Sequence, residues 1–280
     1  VDLLQKSKDG TIKNGVKLHD GLMVESVLIP TESRTTACVS SQVGCSLNCE
    51  FCATAKLKRM RNLEVAEIVD QVALIDKQSK LYFDRPLSNI VFMGMGEPMM
   101  NYKNVVDAIK KITDEDGLGM SARRITVSTS GIPKMMRMLA DENLKVKLAL
   151  SLHSAIEHKR NEIMPFSTKF PLTEIMEAMQ YWYSKTENRI TFEYCVWKGI
   201  NDGDEDIKAL IKYCRQVPCK VNLIQYNPIG EGKFDHRSVE AEERYVRELE
   251  KAGITVLVRR SRGGDIDAAC GQLANKNSGE

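Results

Sequence analysis

Three cysteines within eight residues, Cys45, Cys49 and Cys52 in QVGCSLNCEFCATA, have the spacing best suited to chemistry. A loop of that length needs only a turn or so to aim three thiolates at one centre. A structural zinc site normally takes four ligands, usually as two pairs separated by a longer spacer. No second CxxC pair exists, and Cys38 is the candidate for a fourth ligand. Three thiolates suit a [4Fe–4S] cluster with one iron left open, because a cluster that only carries electrons is expected to have four cysteine ligands. An open iron can coordinate a substrate or cofactor. Cys38 and Cys270 leave two readings open, as thiols acting beside such a centre or as small buried hydrophobes. Gly96-Glu97 and His153 are ambiguous alone, since a Gly-x-Gly-Glu is more often a turn than a site. Cys195, Cys214 and Cys219 read as packing residues.

These residues need elements to position them. Strands are expected at Thr36–Ser40, Ile90–Met93, Ile125–Ser128, Val146–Leu152, Ile190–Val196, Val221–Ile224 and Ile254–Val258. Helices are expected at Leu63–Lys77, Asn104–Ile112, Pro133–Asp141, Leu172–Tyr183, Asp204–Arg215 and Glu240–Lys251. In the first helix Ile68, Val69, Val72 and Ile75 make one apolar face. Serial βα units imply an α/β fold with a parallel sheet, in which ligands sit at the carboxyl ends of strands. Upstream, Thr11–Leu18 reads as a hairpin about Asn14-Gly15, and Gly21–Pro30 as a further strand. The expected organisation is a small N-terminal β extension over 1–35, a main domain over 36–273 and a tail over 274–280, with fraying from Asn275.

Composition agrees with a packed protein. The chain has 280 residues, 42% of them hydrophobic and 28% charged, which argues against disorder. No apolar run approaches a membrane span, and VDLLQKSKDG has no signal-peptide core. Eight cysteines without a secretory signal point to a reducing, cytoplasmic home. With 40 Lys+Arg against 38 Asp+Glu the net charge is only +2, which permits local basic patches but no basic tail.

CxxxCxxC with Phe51 before its last cysteine resembles the radical S-adenosylmethionine (SAM) superfamily. Further segments agree: CVSSQVGCSLNCEFCATA at Cys38–Ala55, FMGMGEP at Phe92–Pro98, RRITVSTSG at Arg123–Gly131, LALSLH at Leu148–His153, VNLIQYNP at Val221–Pro228 and GDIDAACGQL at Gly264–Leu273. Together they resemble the RlmN/Cfr family, which methylates adenine carbons in ribosomal RNA, from about Thr11 to Leu273.

The resemblance implies a partial (β/α)6-type radical SAM barrel. It implies one [4Fe–4S] cluster on Cys45, Cys49 and Cys52, with SAM completing the fourth iron. Gly96, Glu97, Ser128, Ser151, Leu152, His153 and Asn227 match family positions at the SAM site. Cys270 matches the cysteine that one SAM methylates; a second SAM yields a 5′-deoxyadenosyl radical that takes hydrogen from that methyl group. The carbon then adds to adenine, and the thiol matching Cys38 resolves the adduct through a transient disulfide with Cys270. Glu25 matches the position assigned as proton acceptor, a role that Cys38 shares as a candidate.

The implied partners are 23S rRNA, in some members a tRNA anticodon loop, and a flavodoxin-type electron donor; no membrane partner is expected, and the chain is expected to be a monomer. Pro98 resembles the carbon 2 (RlmN-like) group rather than the carbon 8 (Cfr-like) enzymes. Family members usually carry an N-terminal accessory helical domain, and the chain, starting with Val near the hairpin, is expected to be a truncated or a short member. Basic residues beside the motifs, Lys56, Lys58, Arg59 and Arg61, Arg123 and Arg124, and Arg259, Arg260 and Arg262, are candidates for phosphate contacts. The rivals are a carbon 8 enzyme, a zinc-holding RNA-binding module, and a radical SAM enzyme acting on a small molecule.

Overall fold

Apolar runs become strands and the amphipathic stretches between them become helices, in a computed structural model that describes residues 1–230, 234 and 238–275. The chain divides into two compact units, the first made of Val1–Ser46, Cys52–Ser128 and the chain from Arg262 onward, the second of Leu47–Phe51 and Thr129–Ser261.

The first unit contains β1 (Leu3–Lys6), β2 (Ile12–Lys17), β3 (Met23–Pro30), β4 (Thr35–Cys38), β5 (Gln42–Val43), β6 (Arg61–Asn62), α1 (Val65–Phe83), β7 (Asn89–Phe92), α2 (Tyr102–Thr113) and β8 (Ile125–Thr129). Its main sheet runs β1-β2-β3-β4-β7-β8, antiparallel from β1 to β4 and parallel from β4 to β8. α1 buries Ile68, Val72 and Ile75 completely, as its 3.6-residue period predicts. It starts where Glu67 Oε2 accepts the backbone N–H of Glu64 (2.8 Å) and stops at Asp84 in the left-handed conformation.

Asn14-Gly15 is not a turn. Both residues lie inside β2, Asn14 opposite Leu4 and Ser26, Gly15 opposite Leu3 and Glu25. The upstream strand β1, overlooked in the sequence, supplies the second partner, and the reversals fall on either side of β2. Asn14 is buried because Gln78 of α1 meets its side-chain amide in two reciprocal hydrogen bonds of 2.9 and 2.6 Å. A side chain at Gly15 would press on Leu3 Cβ at 3.0 Å.

The second unit contains α3 (Pro133–Asp141), β9 (Lys147–Ser151), α4 (Glu157–Ile163), α5 (Leu172–Thr186), β10 (Ile190–Cys195), α6 (Asp204–Cys214), β11 (Cys219–Ile224), α7 (Val239–Lys251) and β12 (Thr255–Arg259). Its strands are parallel in the order β9-β10-β11-β12. Every residue of β10 is buried, the signature of a parallel strand covered on both faces. Among the described residues no helix is long and apolar enough to cross a membrane.

The N-terminal strands carry a buried ion pair. Lys13 Nζ lies 3.3 Å from Glu25 Oε1, both side chains 2% exposed. Glu25 Oε2 accepts the backbone N–H groups of Ala274 (2.8 Å) and Asn275 (3.2 Å), and Asn275 Nδ2 donates to Met23 O. Ala274 and Asn275, read from the sequence as the start of a tail, are therefore tied to β3; the rest of that segment, 276–280, lies outside the described residues. Removing one partner of a buried pair strands the other charge, so Glu25→Ala is expected to lower the unfolding free energy by about 3 kcal/mol or more, read from urea denaturation.

Candidate active site

In the first unit the strand ends are fastened by buried polar side chains. Just after β4, Ser40 donates its backbone N–H to Gln71 Oε1 (2.9 Å) and its hydroxyl to Glu25 O (2.5 Å), while Ser40 Oγ accepts from Met95 N. Asn101 Nδ2 donates to Ser41 O and Leu63 O at 2.8 Å each. Gln42 Oε1 accepts the N–H of Glu97 (2.9 Å). These bonds fix the run that enters the cysteine loop against the loop after β7, where Gly96 and Glu97 sit. Gly96 has φ +95°, and a Cβ there would stand 2.5 Å from Gln42 Cβ and 2.8 Å from Gln42 N, so only glycine fits. Glu97 is buried and caps the turn after it by accepting Met99 N (3.0 Å). Pro98 opens that short 3-10 helix, Pro98–Asn101, where its fixed φ suits the first position. Ser128 is half-buried near the carboxyl end of β8.

Cys45 lies after β5, half-buried; Cys52 directly precedes the 3-10 helix Ala53–Lys56. Burial pushes the Cys52 thiol above its ordinary pKa, opposed by hydrogen bonding at Ala55 and Thr54. The two residues after Cys52 grip the C-terminal loop: Ala53 N–H donates to Gly271 O (2.6 Å) and Thr54 Oγ1 to Leu273 O (2.6 Å). In that loop Gln272 N–H returns to Ala269 O at 3.0 Å with Gly271 at φ +83°, a tight turn that leaves Cys270 exposed at its tip. Cys38 ends β4, buried, paired in register with Val27 of β3 and Val91 of β7. Glu25, expected as a solvated face but for its family match, is instead buried and holds Ala274, four residues past Cys270.

In the second unit, Cys49 is buried on the segment Leu47–Phe51, which is tied to the end of α4 where Glu50 N–H donates to Ile163 O (3.1 Å). Phe51 meets the His153 ring edge-on at 4.5 Å between centroids, and Trp197 at 5.4 Å. Ser151 ends β9; Leu152 and His153 are buried just beyond it, both donating their N–H groups to Glu193 O. His153 takes φ +57°, and its carbonyl accepts Asn201 Nδ2 (2.7 Å). Its Nδ1 accepts the backbone N–H of Cys195 (3.2 Å), so the ring's own proton sits on Nε2. Burial, reinforced by the nearby Arg160 cation, lowers the His153 pKa to about 3. Asn227 is buried beyond β11, donating to Gln225 O.

The structure redistributes some expected roles. Arg61 is engaged within the protein, with Nε 2.5 Å from Asp20 Oδ2 and a two-pronged contact to Glu67 at 2.7 and 2.8 Å. Lys56, Lys58, Arg59, Arg123, Arg124, Arg259, Arg260 and Arg262 are exposed. Cys214 and Cys219, five residues apart, bring their thiols within hydrogen-bonding reach; sharing a proton raises the pKa of Cys214 and lowers that of Cys219. Arg160, which no motif spacing flagged, is fully buried. An arginine in a short polar helix just after the LALSLH segment was the only hint.

The donor set can be tested against the two kinds of centre. One zinc ion holds thiolates at about 2.3 Å, which forces the sulfurs within about 4 Å of one another. Among the described residues no three His, Cys, Asp or Glu side chains gather as ligands of a single ion. An iron–sulfur cluster presents a separate iron to each cysteine, so it does not need three sulfurs gathered about one ion, and the CxxxCxxC donor set of Cys45, Cys49 and Cys52 suits that group.

Comparison with known proteins agrees. The pattern of the Radical SAM superfamily matches residues 39–214. A crystal structure of a radical SAM methyltransferase from Sphaerobacter thermophilus superposes with a TM-score of 0.94 at 41% identity, over 97% of this chain and 80% of that one. The chain is thus an enzyme of the radical SAM superfamily, with its α/β, mostly parallel fold. Two relatives, from Flavobacterium psychrophilum and Christiangramia forsetii, are 67% and 68% identical over 99% of this chain and cover 80% and 79% of their own lengths; each is described as a probable dual-specificity RNA methyltransferase RlmN. Within the superfamily the chain belongs to the RlmN family, which sets aside the zinc-module reading.

The depressed His153 pKa has a thermodynamic consequence. The unfolded chain binds a proton near pH 6.5 that the folded chain refuses until about pH 3. Stability should fall as pH drops through that window, by about 1.4 kcal/mol per unit from this group. His153→Gln should flatten that part of the acid limb in pH-dependent urea unfolding.

Proposed function

We propose that the chain methylates carbon 2 of an adenosine in 23S rRNA and of an adenosine in a tRNA anticodon loop. The dual-specificity RNA methyltransferases it resembles at two thirds identity support this substrate class. The observation that carries the reading is the position of Cys270, exposed at the tip of a turn gripped by Ala53 and Thr54, next to Cys52. A carbon donor on that sulfur is open to a bulky substrate and close along the structure to a cluster ligand.

In this reading residues 36–273 form the catalytic domain, with 1–35 as its β extension. Cys45, Cys49 and Cys52 hold one [4Fe–4S] cluster. Gly96, Glu97, Ser128, Ser151, Leu152, His153 and Asn227 bind SAM, two molecules of which are consumed per methylation. Cluster and SAM together would supply hydrogen-atom abstraction from the methyl group on Cys270, so that its carbon can add to an aromatic carbon that ordinary methyl transfer cannot reach. Gly96 lets the backbone come close to the ligand, and Glu97 accepts hydrogen bonds from its ammonium group. His153, neutral and buried, offers a ring N–H without adding charge. Cys270 carries the transferred carbon as a thioether. Cys38 forms the disulfide that frees the methylated RNA, and Glu25 or Cys38 takes the proton from the adduct. The Lys13 and backbone contacts of Glu25 support a second role, holding the segment that follows Cys270.

The target adenine must leave its stack to reach a sheltered centre, which favours unpaired loops. Exposed cations such as Lys58 and Arg59 are suited to the flanking phosphates. The electron donor is flavodoxin-like, and the enzyme works as a cytoplasmic monomer.

Cys270→Ala is expected to abolish RNA methylation while SAM cleavage continues, and Cys38→Ala to accumulate a covalent protein–RNA adduct visible on denaturing gels. Normal turnover by Cys38→Ala would remove it from the mechanism. Mass spectrometry of RNA from cells with and without the intact protein should show loss of 2-methyladenosine; loss of 8-methyladenosine instead would reassign the carbon.

A further inference from the structure

Arg160 is the most anomalous charge in the protein. Its side chain is 0% exposed, on α4, a helix that also receives the cysteine loop through the bond from Glu50 to Ile163. One edge of the guanidinium is satisfied, with Nη2 donating to Ser130 O at 2.5 Å and to Ser151 O at 3.4 Å. Those carbonyls lie just past β8 and at the end of β9. The other edge is not satisfied: Nε and Nη1 are buried with no hydrogen-bond partner among the described residues. A buried cation with two idle donors is costly unless an anion answers it, and among the described residues no carboxylate forms an ion pair with it. Burial works against the charged form; Tyr213, then Cys49, then Glu157 act in its favour. Of these, Cys49 is the one that takes on a fixed negative charge when it ligates an iron.

We infer that Arg160 is the built-in counter-cation of the iron–sulfur centre, its Nε and Nη1 edge kept for the negative charge that Cys49 and its cluster bring. This rests on the radical SAM reading of the cysteine loop and deepens it. Arg160 is a positioning and tuning residue and transfers nothing to substrate. The same edge could serve a second anion, the carboxylate of SAM, and the two are separable by experiment. Arginine suits the task better than lysine, because its planar fork satisfies two strand-end carbonyls on one side and leaves two donors on the other.

The test uses the full chain with Arg160→Met and Arg160→Lys, prepared iron-free and then reconstituted anaerobically with iron and sulfide, without SAM. Iron-free Arg160→Met should melt at or above the wild-type temperature, since a buried unanswered charge has been replaced by an apolar side chain. Reconstituted Arg160→Met should lose its visible absorbance to a chelator roughly tenfold faster than wild type, as supporting residues around a metal typically govern retention to that degree. Its cluster should also have a more negative midpoint potential, followed by electron paramagnetic resonance, with Arg160→Lys between the two. Equal retention and equal potential in wild type and Arg160→Met would overturn the assignment, as would unchanged retention with weakened SAM binding in equilibrium dialysis, which would give the edge to the carboxylate. If Arg160→Met does not fold, Arg160→Lys carries the comparison on the same measurements. Wild-type protein that takes up no cluster would instead refute the radical SAM reading itself.

Discussion

The active half of the first unit depends on the burial of Lys13 beside Glu25. Two opposite charges 3.3 Å apart attract by about 5 kcal/mol at an effective dielectric of 20, which is comparable to the cost of drying them. Such a pair adds little net stability but tolerates few alternatives, because either partner alone is strongly unfavourable. Glu25 uses its second oxygen on the backbone of Ala274 and Asn275. At the far end of the same loop, Asp9 Oδ2 accepts Gly263 N–H (2.9 Å) and Ser7 donates to Asp265 (2.5 Å). Gly263 itself packs where a Cβ would stand 2.8 Å from both Ala268 Cβ and Thr11 Cγ2. The loop bearing Cys270 is thus clamped before and after the cysteine by β1–β3 and its turns. The N-terminal β element thereby fixes the chain on both sides of Cys270.

Where strands end, local backbone strain is spent on placing groups. Gly96 and His153 both leave their strands with positive φ. For glycine this costs little; for histidine it requires compensation, and three polar contacts supply it: Glu193 O to the backbone N–H, Asn201 to the carbonyl, and Cys195 N–H to the ring. The ring is then held in one tautomer with no charge. Burial and the charge on Arg160 both oppose protonation of that ring.

What the sequence made legible was local. The αβ alternation and the strand-end positions of Ser151, His153 and Asn227 follow from hydrophobic period and chain order, as does the cysteine loop. What it hid was long-range. Asn14-Gly15 carries the strongest short turn signal, yet Gln78, 64 residues away, converts it into strand interior. Glu25 looked like one polar residue on an edge, and its partners lie 12 residues before it and some 250 after. Arg61 resembled its neighbours Lys58 and Arg59 until Asp20 and Glu67 claimed it. The pairing of Cys214 with Cys219 depends on α6 ending just before β11 begins, which residue types alone do not report. The roles proposed for Cys38 and Cys270 rest on family resemblance alone, since no spacing rule links residues 232 apart.

The distribution of thiol exposure matches the roles proposed for these cysteines. A small molecule can be brought to a buried sulfur but an RNA cannot, so the role proposed for Cys270 requires a thiol reachable from the surface. Cys270 is exposed on a turn whose following backbone is held by Ala53 at Gly271, by Thr54 at Leu273 and by Glu25 at Ala274. Cys38 and Cys49 are buried, which shields their thiols from solvent and oxidation. An exposed thiol persists in a reducing compartment and becomes a liability elsewhere. The near-neutral net charge fits the same division. Acidic residues such as Glu25, Glu67 and Glu97 are used internally on lysine, arginine and backbone donors, while cations at Lys58, Arg59 and Arg262 remain at the surface.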